Sequence, residues 1–70
     1  MTNEFLFVGY FKNDEGKYLA YGHLKNNNGS FAYKVSIIDC EKKVAEDLVA
    51  GEIYEVKVVA FNGSSARFGF

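Results

Sequence analysis

Tryptophan and proline are absent from the sequence, and cysteine and histidine occur once each. A single cysteine, Cys40, excludes an internal disulfide. One cysteine with one histidine cannot supply the four ligands of a structural zinc site. No run approaches the ~18 apolar residues of a membrane helix, and no signal-peptide pattern is present. With the free thiol, these absences point to a reducing, cytoplasmic setting. Seventy residues without a repeat or a linker read as one domain over 1–70. So short a chain buries a modest fraction of its surface. With disulfide and zinc excluded, a second subunit is the remaining source of extra stability. Catalytic patterns are missing as well. There is no Ser-His-Asp set, no phosphate-cradling glycine loop and no cluster of metal ligands, and the neighbouring carboxylates Asp14 and Glu15 fall in a turn. The chain reads as a non-enzyme without a cofactor.

Acidic residues are missing from one long stretch. Residues 17–38, KYLAYGHLKNNNGSFAYKVSII, carry Lys17, Lys25, Lys34 and His23 and no Asp or Glu, with Tyr18, Tyr21, Phe31 and Tyr33 between them. The whole chain has net charge −1. Its successive segments 1–16, 17–38, 39–55 and 56–70 carry −2, +3, −4 and +2. Alternation of this kind focuses a field even when the total is near zero.

Residues 4–11, EFLFVGYF, are rich in strand formers and predict the first strand. A turn over 13–16 follows, then a second strand over 17–25. Asn28-Gly29 predicts a two-residue type I′ hairpin into a third strand over 31–38. Asp39 is placed to cap a helix over 40–50 that presents Val44, Ala45, Leu48 and Val49 on one side, and Gly51 stands where a helix ends. A fourth strand over 53–61, a turn at 62–65 and a short fifth strand over 66–70 complete the chain. The order β-β-β-α-β-β, mainly β with one short helix between strands three and four, is that of the five-stranded OB-fold barrel.

The hairpin register predicts Ala20, Gly22, Leu24, Tyr33, Val35 and Ile37 inside. It leaves Leu19, Tyr21, His23, Lys25, Lys34 and Ile38 outside. A three-residue turn after the first strand sends Leu6, Val8 and Tyr10 inward and Phe5, Phe7 and Phe11 outward, and a four-residue turn reverses this. Either choice strands three large apolar side chains on the outer face, at ~1.5–3 kcal/mol each. A subunit, a nucleic acid or the barrel curling over itself must cover them, and Gly9 between them, as a bulge or a sharp bend, favours the last. On the fourth strand Tyr54, Val56, Val58 and Ala60 point in and Glu55, Lys57, Val59 and Phe61 point out. A three-residue turn 62–64 aligns Phe68 with Val58 and puts Arg67 on the outer side with Lys57.

The outer face of strands two and three, with the 1–2 and 4–5 loops, is where OB-folds hold oligonucleotides. Lys17, Lys25, Lys34, Lys57 and Arg67 are the candidates for phosphate neutralisation, and Tyr21, Phe7 and Phe61 the candidates for base stacking. His23 is a candidate phosphate contact. The plainer reading is a solvated lysine face with tyrosine hydroxyls in water. Cys40 reads as a passive small residue. Glu41, Glu46 and Asp47 read as a solvated helix face laced by Lys42–Glu46 and Lys43–Asp47 pairs.

AYKVSI in strand three, AGEIYEVKVVAF leading through strand four, and the RFGF ending resemble the small helix-destabilising, single-stranded-DNA-binding proteins of filamentous bacteriophages. The resemblance implies an OB-like barrel, a homodimer, and non-specific coating of single-stranded DNA during phage DNA replication inside a bacterial host. It places Lys34, Phe61, Arg67 and Phe68 in segments that serve DNA binding or the dimer. The chain is shorter than that family, is not net basic, and lacks a long arginine-bearing wing between strands two and three. A second class of function is also open, a small β-barrel protein-interaction or inhibitor module acting through exposed aromatics or the acidic helix.

Overall fold

The computed structural model describes residues 2–70. The strands are β1 (Thr2–Lys12), β2 (Tyr18–Leu24), β3 (Ser36–Asp39), β4 (Ile53–Asn62) and β5 (Ser65–Gly69), with the helix α1 (Lys42–Asp47) between β3 and β4. They close a barrel in the order β1-β2-β3-β5-β4. Every seam is antiparallel except β3–β5, which is parallel and held by the single partner pair Asp39–Gly69. This is the OB-fold arrangement expected from the element order.

The β1–β2 turn has the three-residue form. The Asn13 N–H donates to the Lys17 carbonyl (2.9 Å) and the Gly16 N–H to the Asn13 carbonyl (3.0 Å). Gly16 takes the left-handed conformation that closes such a loop, with φ +82°. Asn13 Oδ1 also accepts from the N–H groups of Glu15 and Lys17. From that turn alone, Phe5 and Phe7 would lie outside. Both are buried instead, because β1 carries a bulge. Phe7 pairs with Gly22 and Gly9 with Tyr21, leaving Val8 as the extra residue. The alternation changes sense there: Phe5 and Phe7 point into the barrel before the bulge, and Phe11 points outward beyond it. The bend expected at Gly9 is therefore what covers two of the three stranded phenylalanines. It also overturns the expectation that Phe7 is free to stack on a base, since Phe7 is 3% exposed.

The β2–β3 connection departs furthest from expectation. Among the described residues none other than glycine has positive φ, whereas a type I′ turn needs positive φ at Asn28 as well as Gly29. The chain forms the same three-residue loop as before. Asn26 N–H donates to the Ser30 carbonyl, Gly29 N–H to the Asn26 carbonyl, and Gly29 takes the left-handed position. Beyond it only the bridge Lys25–Phe31 and the bond from Ala32 N–H to the Leu24 carbonyl continue the hairpin. The chain then loops out over residues 33–35 and rejoins at Gly22–Ser36, so β3 starts five residues later than expected. Ala20 faces Ile38 rather than Ile37. A one-residue slip exchanges faces: Ile38 is buried, while Tyr33, Val35 and Ile37 are exposed.

The helix is shorter than expected at both ends. It starts after Glu41 with no side-chain cap and is already extended at Leu48. Asp39 does not cap it because its carboxylate is engaged elsewhere, as described below. The expected lysine–acid pairs along the helix do not form. Gly51 (φ +89°) closes a turn in which Glu52 N–H donates to the Val49 carbonyl. The β4–β5 connection is also tighter than expected. Asn62 pairs with Ser65 across Gly63-Ser64, and positive φ at Gly63 alone suits a type II′ turn. A second bulge, at Val59, restores the expected Val58–Phe68 pairing. It also turns Ala60 outward opposite Arg67, and sets Phe61 opposite Ala66 on the side that Phe68 faces.

The core is small and aromatic. Phe5, Phe7, Ala20, Ile38 and Val56 are buried, with Leu24, Cys40, Leu48, Tyr54, Phe68 and Phe70 packed against them. Phe5–Phe70, Tyr54–Phe70 and Phe7–Tyr54 meet edge to face at 6.2–6.3 Å, the arrangement that ring quadrupoles favour. The Tyr54 hydroxyl accepts from Val49 N–H at 2.8 Å, so its polar end is satisfied. Among the described residues no helix is long and apolar enough to cross a membrane.

Candidate nucleic-acid interface

The outer face of β1, β2 and β3 is shaped by the Val8 bulge, which Gly9 marks in the sequence, and by the β3 slip, which patterning does not show. Beyond the bulge, Gly9 and Phe11 of β1 share this face with Leu19 and Tyr21 of β2, and Ile37 and Asp39 of β3 continue it. Tyr21 leans across Gly9. A Cβ on Gly9 would lie 2.6 Å from the Tyr21 hydroxyl oxygen and 2.8 Å from its Cζ. The absence of a side chain there lets the ring lie against the strand, with its other side outward. Phe11 adjoins it, with ring centroids 6.2 Å apart and planes inclined at 47°. Phe11 and Ile37 are 40% and 52% exposed, so the face offers two rings and a branched aliphatic side by side.

The expected site residues divide into three groups. Tyr21, His23, Lys17 and Arg67 come together on or beside this face. His23 Nδ1 lies 2.9 Å from the Ala32 carbonyl and 3.3 Å from the Lys34 carbonyl. Both partners accept, so Nδ1 carries the proton and donates, and the imidazole pins the looped-out segment 33–35 to β2. Lys34 is exposed on that segment, next to Tyr33 at 97% exposure. Lys25 stands at the far end of β2, paired to Glu4 of β1 at 2.7 Å. Lys57 and Phe61 are elsewhere. Lys57 pairs with Thr2 and Gly69 on the opposite wall of the barrel, and Phe61 is 73% exposed near the tip of the β4–β5 ribbon.

Three of the five candidate bases already have acidic partners. Besides Lys25–Glu4, the Asp39 carboxylate accepts from Arg67 and lies 3.6 Å from Lys17 Nζ. The hydrogen bond from Arg67, and then the Asp39 charge, push the guanidinium further toward its protonated form. Sequence reasoning missed Asp39, which falls one residue beyond the acid-free stretch, and missed Phe11 and Ile37 as partners of Tyr21. The slip of β3 moved Ile37 and Asp39 relative to β2, and a pattern of alternation carries no record of a slip. Cys40 sits beside Asp39. Partial burial, and then the Asp39 charge, raise its thiol pKa, so it is a poor nucleophile at neutral pH.

No protein-family model, curated protein or solved structure matches the chain.

Proposed function

We propose that the chain binds single-stranded nucleic acid, DNA in the first instance, without sequence preference and across the outer face of β1, β2 and β3. The observation that carries this reading is the adjoining Tyr21–Phe11 ring pair on that face of an OB barrel, with Tyr21 lying across Gly9 and with Lys17, Arg67 and Lys34 on or beside the same face. Rings stack on any base and so give affinity without readout. The few bases on the face neutralise on the order of two to four phosphates, which makes the salt dependence shallow. Titration with a ~20-nucleotide oligo-dT tests this through intrinsic tyrosine emission, Tyr being the fluorophore in a chain without Trp. Quenching that weakens as salt rises is the expected result. A flat titration at low salt removes the proposal.

The same reading takes the protein to be a homodimer, bacteriophage- or plasmid-borne and working in the cytoplasm of a bacterial host. Exposed Phe61 and Val59 on the β4–β5 ribbon are the surfaces that support self-association. Sedimentation velocity of the free protein should give about twice the chain mass of 7.9 kDa. A sharp monomer boundary at high concentration excludes the dimer. The competing reading is a protein-interaction module. What favours it is that Lys17, Lys25 and Arg67 are already paired to acids. The flat titration just described is its expected result.

A further inference from the structure

The Asp39 carboxylate stands between two cations that come from different parts of the chain. Lys17 follows the β1–β2 turn, and Arg67 lies on β5. Two bases converging on one tetrahedral or planar oxyanion is the arrangement that binds a phosphate. Here the anion is supplied by the protein itself. The Asp39 side chain is one-quarter exposed, while Lys17 and Arg67 are each about half exposed, so their donors remain reachable from outside. Lys17 and Asp39 also form part of the rim of an open cleft of about 430 Å³, floored by Val44, Val59 and Phe70. That cleft, which Glu41 also lines, gives an incoming group room to approach Lys17 from the side.

We propose that Lys17 and Arg67 form a phosphate seat that the Asp39 carboxylate occupies in the free protein, and that a bound phosphate displaces it. The seat rests on the nucleic-acid reading above only for the source of the phosphate, a strand backbone rather than the free ion. Asp39 weakens binding twice. Its ion pairs must open before the cations are available, and its charge then repels the phosphate that replaces it. Exposed pairs are individually weak, which makes the contact one that a ligand can exchange. The pairing also answers a difficulty noted above, since bases neutralised in the free protein are released when the ligand arrives.

The test compares Asp39→Asn with Glu46→Gln, which makes the same change in net charge on the exposed helix face. Asp39→Asn should tighten oligo-dT binding about three- to tenfold at low salt. It should also steepen the log–log salt dependence by about 0.7–1.4, the release expected for one or two further phosphates on a single strand. Glu46→Gln should change neither by more than about twofold. Asp39→Asn equal to Glu46→Gln, or weaker than the parent, overturns the seat, because the carboxylate would then be holding the two cations in place rather than masking them. If Asp39→Asn does not fold, carboxyl-detected NMR of the parent protein decides. The Asp39 Cγ resonance should move as oligo-dT saturates the protein, and a fixed resonance at saturation overturns the proposal. Inorganic phosphate at matched ionic strength separates the two readings. Movement with phosphate where oligo-dT does not bind keeps the seat and removes the nucleic-acid function, and no movement with phosphate where oligo-dT does not bind removes both.

Discussion

Replacing Gly22 by alanine is expected to lower the melting temperature by at least roughly 12 °C. Gly22 is buried where β2 crosses the base of β1. A Cβ there would collide with the Leu6 carbonyl oxygen and lie 2.9 Å from Phe5 Cζ. The oxygen is backbone and cannot rotate away, and Phe5 is wedged against Phe70 in the core. The strands must therefore separate. Overpacking a core usually costs ~1–3 kcal/mol, and a collision with a ladder carbonyl belongs at or above the top of that range. A domain of this length has only about 4–10 kcal/mol in total. A loss of ~3 kcal/mol corresponds to a fall of roughly 12–24 °C in Tm. Gly29→Ala is the comparison. Its Cβ meets nothing within 4 Å, but its φ of +91° is strained for alanine, so it should cost only about 1 kcal/mol. Thermal melts followed by circular dichroism distinguish the two. A Gly22→Ala protein melting within a few degrees of the parent would show that the β1–β2 seam yields more easily than its geometry implies.

The double replacement Phe11→Ala, Tyr21→Ala should abolish most binding to single strands while leaving the melt nearly unchanged. Neither ring belongs to the buried core. Each stacked base is worth ~1–3 kcal/mol by alanine substitution, so the pair accounts for about 2–6 kcal/mol. The affinity for oligo-dT should fall by at least about thirtyfold. Removing Tyr21 also removes part of the intrinsic signal, so anisotropy of a labelled oligonucleotide is the suitable readout. Phe61→Ala provides the contrast. That ring lies on the β4–β5 ribbon away from the face, and its loss should change affinity by less than about threefold. A double variant that binds within threefold of the parent would contradict the role given to the ring pair.

The order of elements was legible because it depends on local signals: runs of strand formers, turn residues between them, and one stretch of helical spacing. Which side chains share a face depends on single-residue events, and these left weaker traces. Asn28-Gly29 announces a hairpin but suits a three-residue loop as well as a two-residue one. The first of these, with the loop-out at 33–35, moved Ile38 into the core and Ile37 out of it. Gly9 did mark the bulge in β1, and that reading rescued Phe5. The bulge at Val59 had no comparable glycine beside it. For the site, Tyr21, His23, Lys17 and Arg67 were found by composition and strand order. Asp39 was not, because it reads as the cap of the helix that follows and its partners are 22 and 28 residues away along the chain.

Phe7 and Phe11 stand an even number of positions apart in one strand, yet one is interior and the other exterior. The Val8 bulge is where that parity changes. A chain lacking Val8 would keep every other side chain on its present side, although the corner in β1 would straighten. A chain lacking Leu6 or Tyr10 would exchange interior and exterior along part of the strand. The same holds for Val59 in β4. Each of the two long strands thus contains one position at which a residue can be lost without turning the barrel inside out. Single-residue deletions in these strands are expected to be tolerated best at those two valines.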